Sequence, residues 1–385
     1  MRVLPMIGLM ILIGASALLP GRTRADNAKR CASADPDLAI GGCTALIQSG
    51  RETNDVLSAA FYNRGLAHSN KGEFDLAIQD FDEALRLNPS YADAFNNRGL
   101  AHSNKGEYDP AIQDYDQALR LNPAYAYAFN NRGNAYFRKG DDDRAIQDFD
   151  QALRVNPSYA HAFNNRGNAH SDQGEYDLAI QDFDQALRLN PTYAHAFNDR
   201  GSAYLRQGEY DLAIRDFDQA LRLDPRYADA FRGRGAAHFC LGQFAAAQPD
   251  FAAALTANPG NAYSALWLYV VQSRAGQDGR TGLEQETGQI KLTAWPGQVI
   301  DLYLGRAAPT AILAAARDPH VYKDRSQRCE AYFFLAEYAL LAGRRTEAQR
   351  LFLQAIDTGA TPELEYTGAH EELKRLQASA AKPGR

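Results

Sequence analysis

A 34-residue unit recurs six times in register through the middle of this chain, and three residue types keep a fixed phase within it. Glycine recurs at Gly65, Gly99, Gly133, Gly167, Gly201 and Gly235. Alanine recurs at Ala77, Ala111, Ala145, Ala179, Ala213 and Ala247, and proline at Pro89, Pro123, Pro157, Pro191, Pro225 and Pro259. A fixed period of this length indicates stacked helical hairpins, each of which buries its apolar face against its neighbours. The sequence therefore predicts six repeats, at residues 58–91, 92–125, 126–159, 160–193, 194–227 and 228–261.

The amino-terminal segment is typical of a secretory signal. Arg2 precedes an apolar run at 3–19, Pro20 and Gly21 break it, and Ala25 closes a small-residue cleavage site. We therefore predict a signal peptide at 1–25 and a periplasmic or secreted protein. The alternative is an uncleaved membrane anchor, since a run of 17 residues lies at the lower edge of what spans a bilayer.

Cysteine placement agrees with export. Cys31 and Cys43 lie 12 residues apart near the predicted mature start, and in an oxidising compartment we expect them to form a disulfide. Cys240 and Cys329 lie in apolar helical contexts and are expected to be buried thiols. The formal net charge of −6 does not indicate a broad nucleic-acid-binding surface.

Each repeat has the pattern of two helices. In residues 92–125, Phe95 and Gly99 share one helical face, Gly106 marks a turn, Tyr115 belongs to a second helix, and Pro123 ends it. This pattern resembles the tetratricopeptide repeat over residues 58–261. The resemblance implies an all-α fold, a right-handed superhelical solenoid of helical hairpins that binds protein partners.

The flanks of the repeats are predicted to be helical. At 26–57 we expect an N-terminal capping helix, centred on residues 35–49, because an uncovered terminal repeat would expose apolar surface. At 262–385 we expect a helical C-terminal module with helices at 263–274, 295–304, 309–317 and 361–376. A degenerate repeat is expected at about 329–362.

The C-terminal module carries a second resemblance. Its segments at 266–269, 295–305 and 331–336 are similar to the C-terminal part of the NlpI-type periplasmic repeat lipoproteins, which are homodimeric scaffolds for cell-wall hydrolases and proteases. The resemblance implies envelope enzymes as partners. It also implies that the region around Trp267, Trp295 and Tyr303 either forms a dimer contact or caps the stack. The acylated cysteine of that group is absent, so we expect no membrane anchor after signal cleavage.

Asparagines recur on the first helix of each hairpin, which lines the inner surface of such a solenoid. A first row consists of Asn96, Asn130, Asn164 and Asn198, a second of Asn97, Asn131 and Asn165, and one turn later come Asn134 and Asn168. An amide that donates and accepts at once suits a peptide backbone, so we predict that these residues hold a partner polypeptide. The alternative is that asparagine is simply common at these positions in the repeat family.

A further row precedes the asparagines by three residues. It consists of Asp93, Tyr127, His161, His195 and Asp229. We interpret it as a pH-sensitive lining of the binding groove. The two histidines lie a whole repeat apart without the i, i+4 spacing of a chelate, so we predict no metal site and no cofactor.

Arginine and aspartate recur together at a separation of 16 residues. The arginines are Arg64, Arg98, Arg132, Arg166, Arg200 and Arg234, and the aspartates are Asp80, Asp114, Asp148, Asp182, Asp216 and Asp250. We predict partly buried structural ion pairs, because guanidinium favours bidentate contact with carboxylate. An exposed anion-binding or catalytic row of arginines is the weaker alternative, since every arginine is accompanied by its acid.

Motifs of the common catalytic classes are missing from the sequence, which has neither a Gly-rich phosphate loop nor a Gly-x-Ser-x-Gly or His-Glu-x-x-His motif. We therefore predict a non-enzymatic, protein-binding scaffold of the cell envelope. One alternative is a glycan-binding module. Another is an enzyme with its site in residues 262–385, which would require a deep pocket there with a strongly perturbed acid or base.

Overall fold

A computed structural model describes residues 23–361 and 363–380 of the chain. The described residues form 21 helices and no strand, so the fold is all-α. They fall into two compact units, the first ending at Asn131 and the second beginning at Arg132. The predicted signal peptide lies almost entirely outside the described residues.

Unit 1 contains six complete helices and the start of a seventh. These are α1 (Arg24–Cys31), α2 (Pro36–Gln48), α3 (Asn54–Asn70), α4 (Phe74–Leu87), α5 (Ala92–Asn104), α6 (Tyr108–Leu121) and the first residues of α7 (Ala126–Arg138). Successive helices pack as antiparallel hairpins, in which α3 pairs with α4 and α5 with α6. We call the first helix of each hairpin helix A and the second helix B.

Unit 2 continues from α7 with four hairpin pairings and a longer helical tail. Its helices in the repeats are α8 (Asp142–Val155), α9 (Ala160–Asp172), α10 (Tyr176–Leu189), α11 (Ala194–Gln207), α12 (Tyr210–Leu223), α13 (Ala228–Cys240) and α14 (Phe244–Ala257). Its tail comprises α15 (Ala262–Arg274), α16 (Arg280–Glu286), α17 (Gly297–Tyr303), α18 (Pro309–Ala315), α19 (Val321–Leu341), α20 (Arg345–Asp357) and α21 (Leu364–Ala380).

Two glycines per repeat explain why the sequence folds into such tight hairpins. Gly106 adopts a φ of +79° in the turn between α5 and α6, a conformation that costs other residues more. Gly99 lies where helix A meets the ring of helix B, and an added Cβ there would be 2.8 Å from Tyr115 Cε1. The ring of Tyr115 is fully buried, so the missing side chain of Gly99 makes room for the largest core residue of this hairpin.

The N-terminal flank differs from the single capping helix that we expected at 26–57. Two helices are present, because Thr23 caps α1 and Asp35 caps α2, with Pro36 at the first helical position. A disulfide between Cys31 and Cys43 joins them. The cap of unit 1 is therefore a cross-linked helical pair.

The C-terminal flank has more helix than the sequence predicted. α16 lies between the helices predicted at 263–274 and 295–304, and α19 begins eight residues before the degenerate repeat predicted at about 329. Trp267 and Tyr303 are only 1 % and 4 % exposed, since they pack inside the core that joins the last repeat to the tail. Neither ring reaches the surface, so a dimer contact in this region, which stays a prediction, would use other side chains.

Ionic contacts fasten the last helix to the repeats of unit 2. Arg274 of α15 binds both Glu337 of α19 and Glu372 of α21, at 3.0 and 2.9 Å, and both glutamates are fully buried. Arg375 of α21 donates to the carbonyl oxygens of Phe239 and Cys240 at the end of α13. These bonds hold α21 against helix A of the sixth repeat.

Candidate functional site

The first row of asparagines is packed away from solvent. Asn96, Asn130, Asn164 and Asn198 are only 3–8 % exposed. Their side chains enter the contact between neighbouring A helices, where a polar group needs a protein partner. The prediction that these four residues form an exposed docking surface is therefore wrong.

Hydrogen bonds between successive repeats use the asparagines instead. In unit 1, Asn131 Nδ2 donates to Asn96 Oδ1 at 3.0 Å, and Asn97 Nδ2 donates to the Tyr62 hydroxyl at 2.9 Å. The second-row residues Asn97, Asn131 and Asn165 and the later Asn134 and Asn168 are half-buried. In each unit the amides thus stabilise the stacking of A helices.

Asp199 replaces asparagine in the second row of unit 2 and gathers three amide donors. Asn164, Asn168 and Asn198 donate to its carboxylate at 3.0–3.1 Å. Burial raises the pKa of Asp199, and these three donors oppose the rise. The Oδ1 atoms of Asn164 and Asn198 have no hydrogen-bond partner among the described residues, so this network is rich in acceptors.

The row that precedes the asparagines is exposed. In unit 1, Asp93 and Tyr127 are exposed, and Asp93 accepts a hydrogen bond from the Tyr125 hydroxyl at 2.5 Å. In unit 2, His161, His195 and Asp229 are exposed. Five of the residues that we predicted to contact a partner therefore lie at the surface of helix A.

Tyrosines that the sequence reasoning missed complete this surface. In unit 2, His161 Nδ1 lies 2.7 Å from the Tyr193 hydroxyl, and His195 Nδ1 lies 2.7 Å from the Tyr227 hydroxyl. We call these four residues the Tyr/His row. Burial raises the pKa of Tyr193 to about 12 and that of Tyr227 further, so both phenols stay neutral. A tyrosine follows five of the six repeat prolines by two residues, and this was the pattern that could have revealed them, at Tyr91, Tyr125, Tyr159, Tyr193 and Tyr227.

The arginines bind the aspartates that lie 16 residues later. Arg166, for example, donates from Nε and Nη2 to Asp182 at 2.8 and 2.6 Å. The same geometry recurs in the other five repeats. The aspartate side chains are 5–7 % exposed and those of the arginines 20–24 %.

The third guanidinium nitrogen reaches the preceding hairpin. Arg166 Nη1 donates to Asp150 of α8, and Arg98, Arg200 and Arg234 make the equivalent bond to the preceding helix B. At the start of unit 1, Arg64 donates to the Thr44 hydroxyl of α2 instead. Each of these arginines thus joins two neighbouring helical layers. This arrangement leaves no free row of guanidinium groups for an anion at these positions.

A pocket of about 310 Å³ lies in unit 2 between the last repeats and the tail. Its walls are Arg206, Arg232, Tyr263, Trp267, Glu330, Glu363, Leu364 and Glu365. Burial raises the pKa of Glu330 and of Glu365, and a neighbouring carboxylate raises each further. This is the kind of pocket that the alternative of an enzyme required. Its walls contain no serine, cysteine, histidine or lysine, and the side chains there that could take part in chemistry are the glutamates and Tyr263.

Models of the tetratricopeptide repeat match residues 58–91, 103–140, 130–194, 183–215 and 201–242. The Lipoprotein NlpI homolog of Haemophilus influenzae is 28 % identical over 121 residues, 30 % of this chain. The match spans only 38 % of that relative's length.

Two structures share the fold. A tetratricopeptide repeat protein from Parabacteroides merdae is 21 % identical with a TM-score of 0.51, over 65 % of this chain and 98 % of its own. A chain of the APC/C hetero-tetramer Cut9–Hcn1 is 18 % identical with a TM-score of 0.54, over 64 % of this chain and 52 % of its own. At these identities the likeness concerns the fold alone. Every helix in the described part of the chain is too short or too polar to span a membrane.

Proposed function

This chain is a tetratricopeptide-repeat protein with similarity to NlpI, and on that premise we propose that it is a non-enzymatic scaffold that holds a partner polypeptide against its A helices. Proteins of this repeat class act in protein–protein interaction, and the exposed faces of their stacked hairpins are extended binding surfaces. The Tyr/His row is the part of unit 2 that we assign to this role.

The observation that carries the proposal is a regular series of rings along successive A helices, in which His161 and His195 are exposed and Tyr193 and Tyr227 are half-buried. The His161 and Tyr193 rings lie 4.8 Å apart between centroids, and those of His195 and Tyr227 lie 5.1 Å apart. Such rings offer apolar contact area together with hydrogen-bonding groups, and they are held in place by bonds between repeats. A partner crossing the row would therefore meet a rigid surface, which lowers the entropic cost of binding.

We further propose that the protein acts in the cell envelope or outside the cell, with envelope enzymes among its partners. Three observations support this: the predicted signal sequence, the Cys31–Cys43 disulfide, and the similarity to a lipoprotein. Formation of a homodimer stays a prediction from the resemblance. Any such contact must use surfaces other than the buried rings of Trp267 and Tyr303.

The test is cross-linking and capture from envelope extract with paired variants of the full chain. We expect His161→Ala/His195→Ala to lose the partners that the wild-type protein retains. The matched control is Gln147→Ala/Gln181→Ala, which removes two exposed side chains from B helices α8 and α10. Circular dichroism checks that both variants fold.

Two results would contradict this assignment. Equal recovery of partners by both variants would exclude the Tyr/His row as the docking surface. Binding of purified peptidoglycan fragments, without any protein captured by the wild type, would favour the glycan-binding alternative. A buried-row variant such as Asn164→Ala is expected to change stability before it changes binding, since Asn164 is 3 % exposed.

A further inference from the structure

The pocket around Glu330 brings together residues that are far apart in the sequence. Arg206 comes from α11, Arg232 from α13, Tyr263 from α15, Glu330 from α19, and Glu365 from α21. We call it the Glu330 pocket. Its volume of about 310 Å³ admits a side chain or a small organic group.

Its two deepest carboxyl groups are held in place by ring donors. The Tyr263 hydroxyl donates to Glu330 Oε2 at 2.9 Å, and Trp295 Nε1 donates to the same oxygen. Trp267 Nε1 donates to Glu365 Oε1 at 2.8 Å. Glu330 and Glu365 are only 4 % and 3 % exposed, so these acceptors are built into the fold.

One carboxyl oxygen of Glu330 can still accept a hydrogen bond. Both donors to Glu330 reach Oε2, and among the described residues no donor reaches its Oε1. This oxygen keeps accessible surface and is not one of the buried side-chain atoms that lack a hydrogen-bond partner. Glu330 therefore presents an open acceptor to the pocket, which a donor group of a ligand could occupy.

The basic residues of the pocket do not supply that partner. Arg232 binds Asp229 at 2.9 Å, and Arg206 donates to the carbonyl oxygen of Thr361 at 3.0 Å. Three glutamates, Glu330, Glu363 and Glu365, line the same space. When all three glutamates are ionised, the walls hold three negative and two positive side chains, so the ionised form of the pocket favours a cationic ligand.

We propose that the Glu330 pocket binds an alkylammonium group, with Glu330 and Glu365 as its acceptors and the ring of Tyr263 beside its methylene groups. An ammonium fits better than a guanidinium because the unused acceptor is a single oxygen of Glu330. A guanidinium prefers the two parallel oxygens of one carboxylate, whereas an ammonium is a point charge with three donors. An aromatic ring beside the cation adds a favourable contact. The proposal does not depend on the Tyr/His row.

The protonation states of Glu330 and Glu365 without a ligand are consistent with the binding of a cation. Burial raises the pKa of Glu330 and Glu365, and the carboxylates of Glu365 and Glu363 respectively raise these values further, which favours the neutral forms near neutral pH. The other ionisable groups that face them are Arg206, Arg232 and Glu363, with Tyr263 and Cys329 kept neutral by pKa values that burial raises. A bound cation favours the carboxylates, so binding should release protons.

Calorimetry on the full chain tests the proposal. The probes are an acetyl-Ala-Lys-Ala-amide peptide, the same peptide with norleucine for lysine, and free n-butylamine. The lysine peptide should bind at least about tenfold more tightly than the norleucine peptide, as expected for hydrogen bonds to a charged group. Titration in two buffers of different ionisation enthalpy should show proton release.

Glu330→Gln and Glu365→Gln should each weaken binding by about tenfold or more, because each keeps the shape and loses the charge. The control Glu284→Gln, an exposed residue of α16, should bind as the wild type does. Binding of butylamine alone would identify a free amine as the ligand, and binding of the peptide alone a lysine of a polypeptide; either result supports the pocket. The proposal is overturned if neither amine binds, if the norleucine peptide binds equally well, or if folded glutamine variants keep wild-type affinity.

Discussion

Replacing Asp182 by alanine should destabilise unit 2 far more than replacing Asp150, although the same guanidinium binds both carboxylates. Asp182 receives two hydrogen bonds from Arg166, and its side chain is 7 % exposed. Asp150 receives one, and its side chain is 48 % exposed. The comparison therefore measures what burial and bidentate contact together add to an ion pair.

The expected magnitudes follow from that difference. Removing one partner of a buried pair costs about 3–5 kcal/mol. We expect the lower end for Asp182→Ala, because 23 % of the Arg166 side chain stays in contact with water. A loss of about 3 kcal/mol raises the unfolding equilibrium constant on the order of 150-fold. Asp150→Ala should cost about 0–1 kcal/mol, as exposed pairs do.

Urea denaturation followed by circular dichroism measures both free energies of unfolding. The slope against urea concentration should not change, since neither substitution alters the surface exposed on unfolding. In the double variant Arg166→Ala/Asp182→Ala, the loss should be smaller than the sum of the single losses, because the unpaired charge is gone. Equal costs for Asp182→Ala and Asp150→Ala would refute the idea that the recurring pair is a buried structural contact.

Three further predictions concern the turns, the cap and the pocket. Gly167→Ala should destabilise unit 2 by about 1–3 kcal/mol in urea denaturation, since the added Cβ would lie 2.7 Å from Phe183 Cε1. Reducing the Cys31–Cys43 disulfide should destabilise α1 and α2 by about 2–3 kcal/mol, because it closes a loop with a separation of 12, and amide exchange at 24–48 should quicken. Burial raises the pKa of Glu330 to about 8, so the folded state binds more protons than the unfolded state; stability should fall as pH rises from about 4.5 to about 8, and Glu330→Gln should flatten that fall.

The hairpins could be predicted from sequence because their determinants are local. A glycine such as Gly106 fixes the turn, and a proline such as Pro123 ends helix B, so the period alone places both helices of a repeat. The pairing of Arg98 with Asp114 was predictable for the same reason, since both recur at a constant separation. The constant separation of the two residues in every repeat thus predicts their contact from the sequence alone.

The environment of each side chain depends on the neighbouring repeat, and this limited the prediction of the site. Asn96 and Asp93 lie on the same helix, three residues apart, yet Asn96 is buried against the next A helix and Asp93 is exposed. Residues three apart on a helix lie on roughly the same face, so the helical period alone does not predict which of the two is buried. Asp82 shows the same dependence on a neighbour, because its side chain is 54 % exposed and yet accepts a bond from Arg98 of the next hairpin.

The Glu330 pocket could not be predicted from the repeat period. Its walls join residues 206, 330 and 365, which no repeat relates to one another. The apolar pattern of α15 and α19 indicates a packed core in this region. That pattern does not predict which polar residues lie inside the core. The sequence offered one hint, the glutamates of α19 and α21 that interrupt otherwise apolar faces.

The pocket that we propose as a ligand site in unit 2 is lined by residues that depart from the repeat pattern. Within the regular repeats, arginine, aspartate and asparagine bind one another, and this polar network stabilises the stacking of the helices. In the sixth repeat the first-row position holds Arg232 in place of asparagine, and Arg232 lines the Glu330 pocket. The interlocking network thus ends at the sixth repeat. Among the described residues no donor reaches Oε1 of Glu330, and in our proposal the ligand provides that donor.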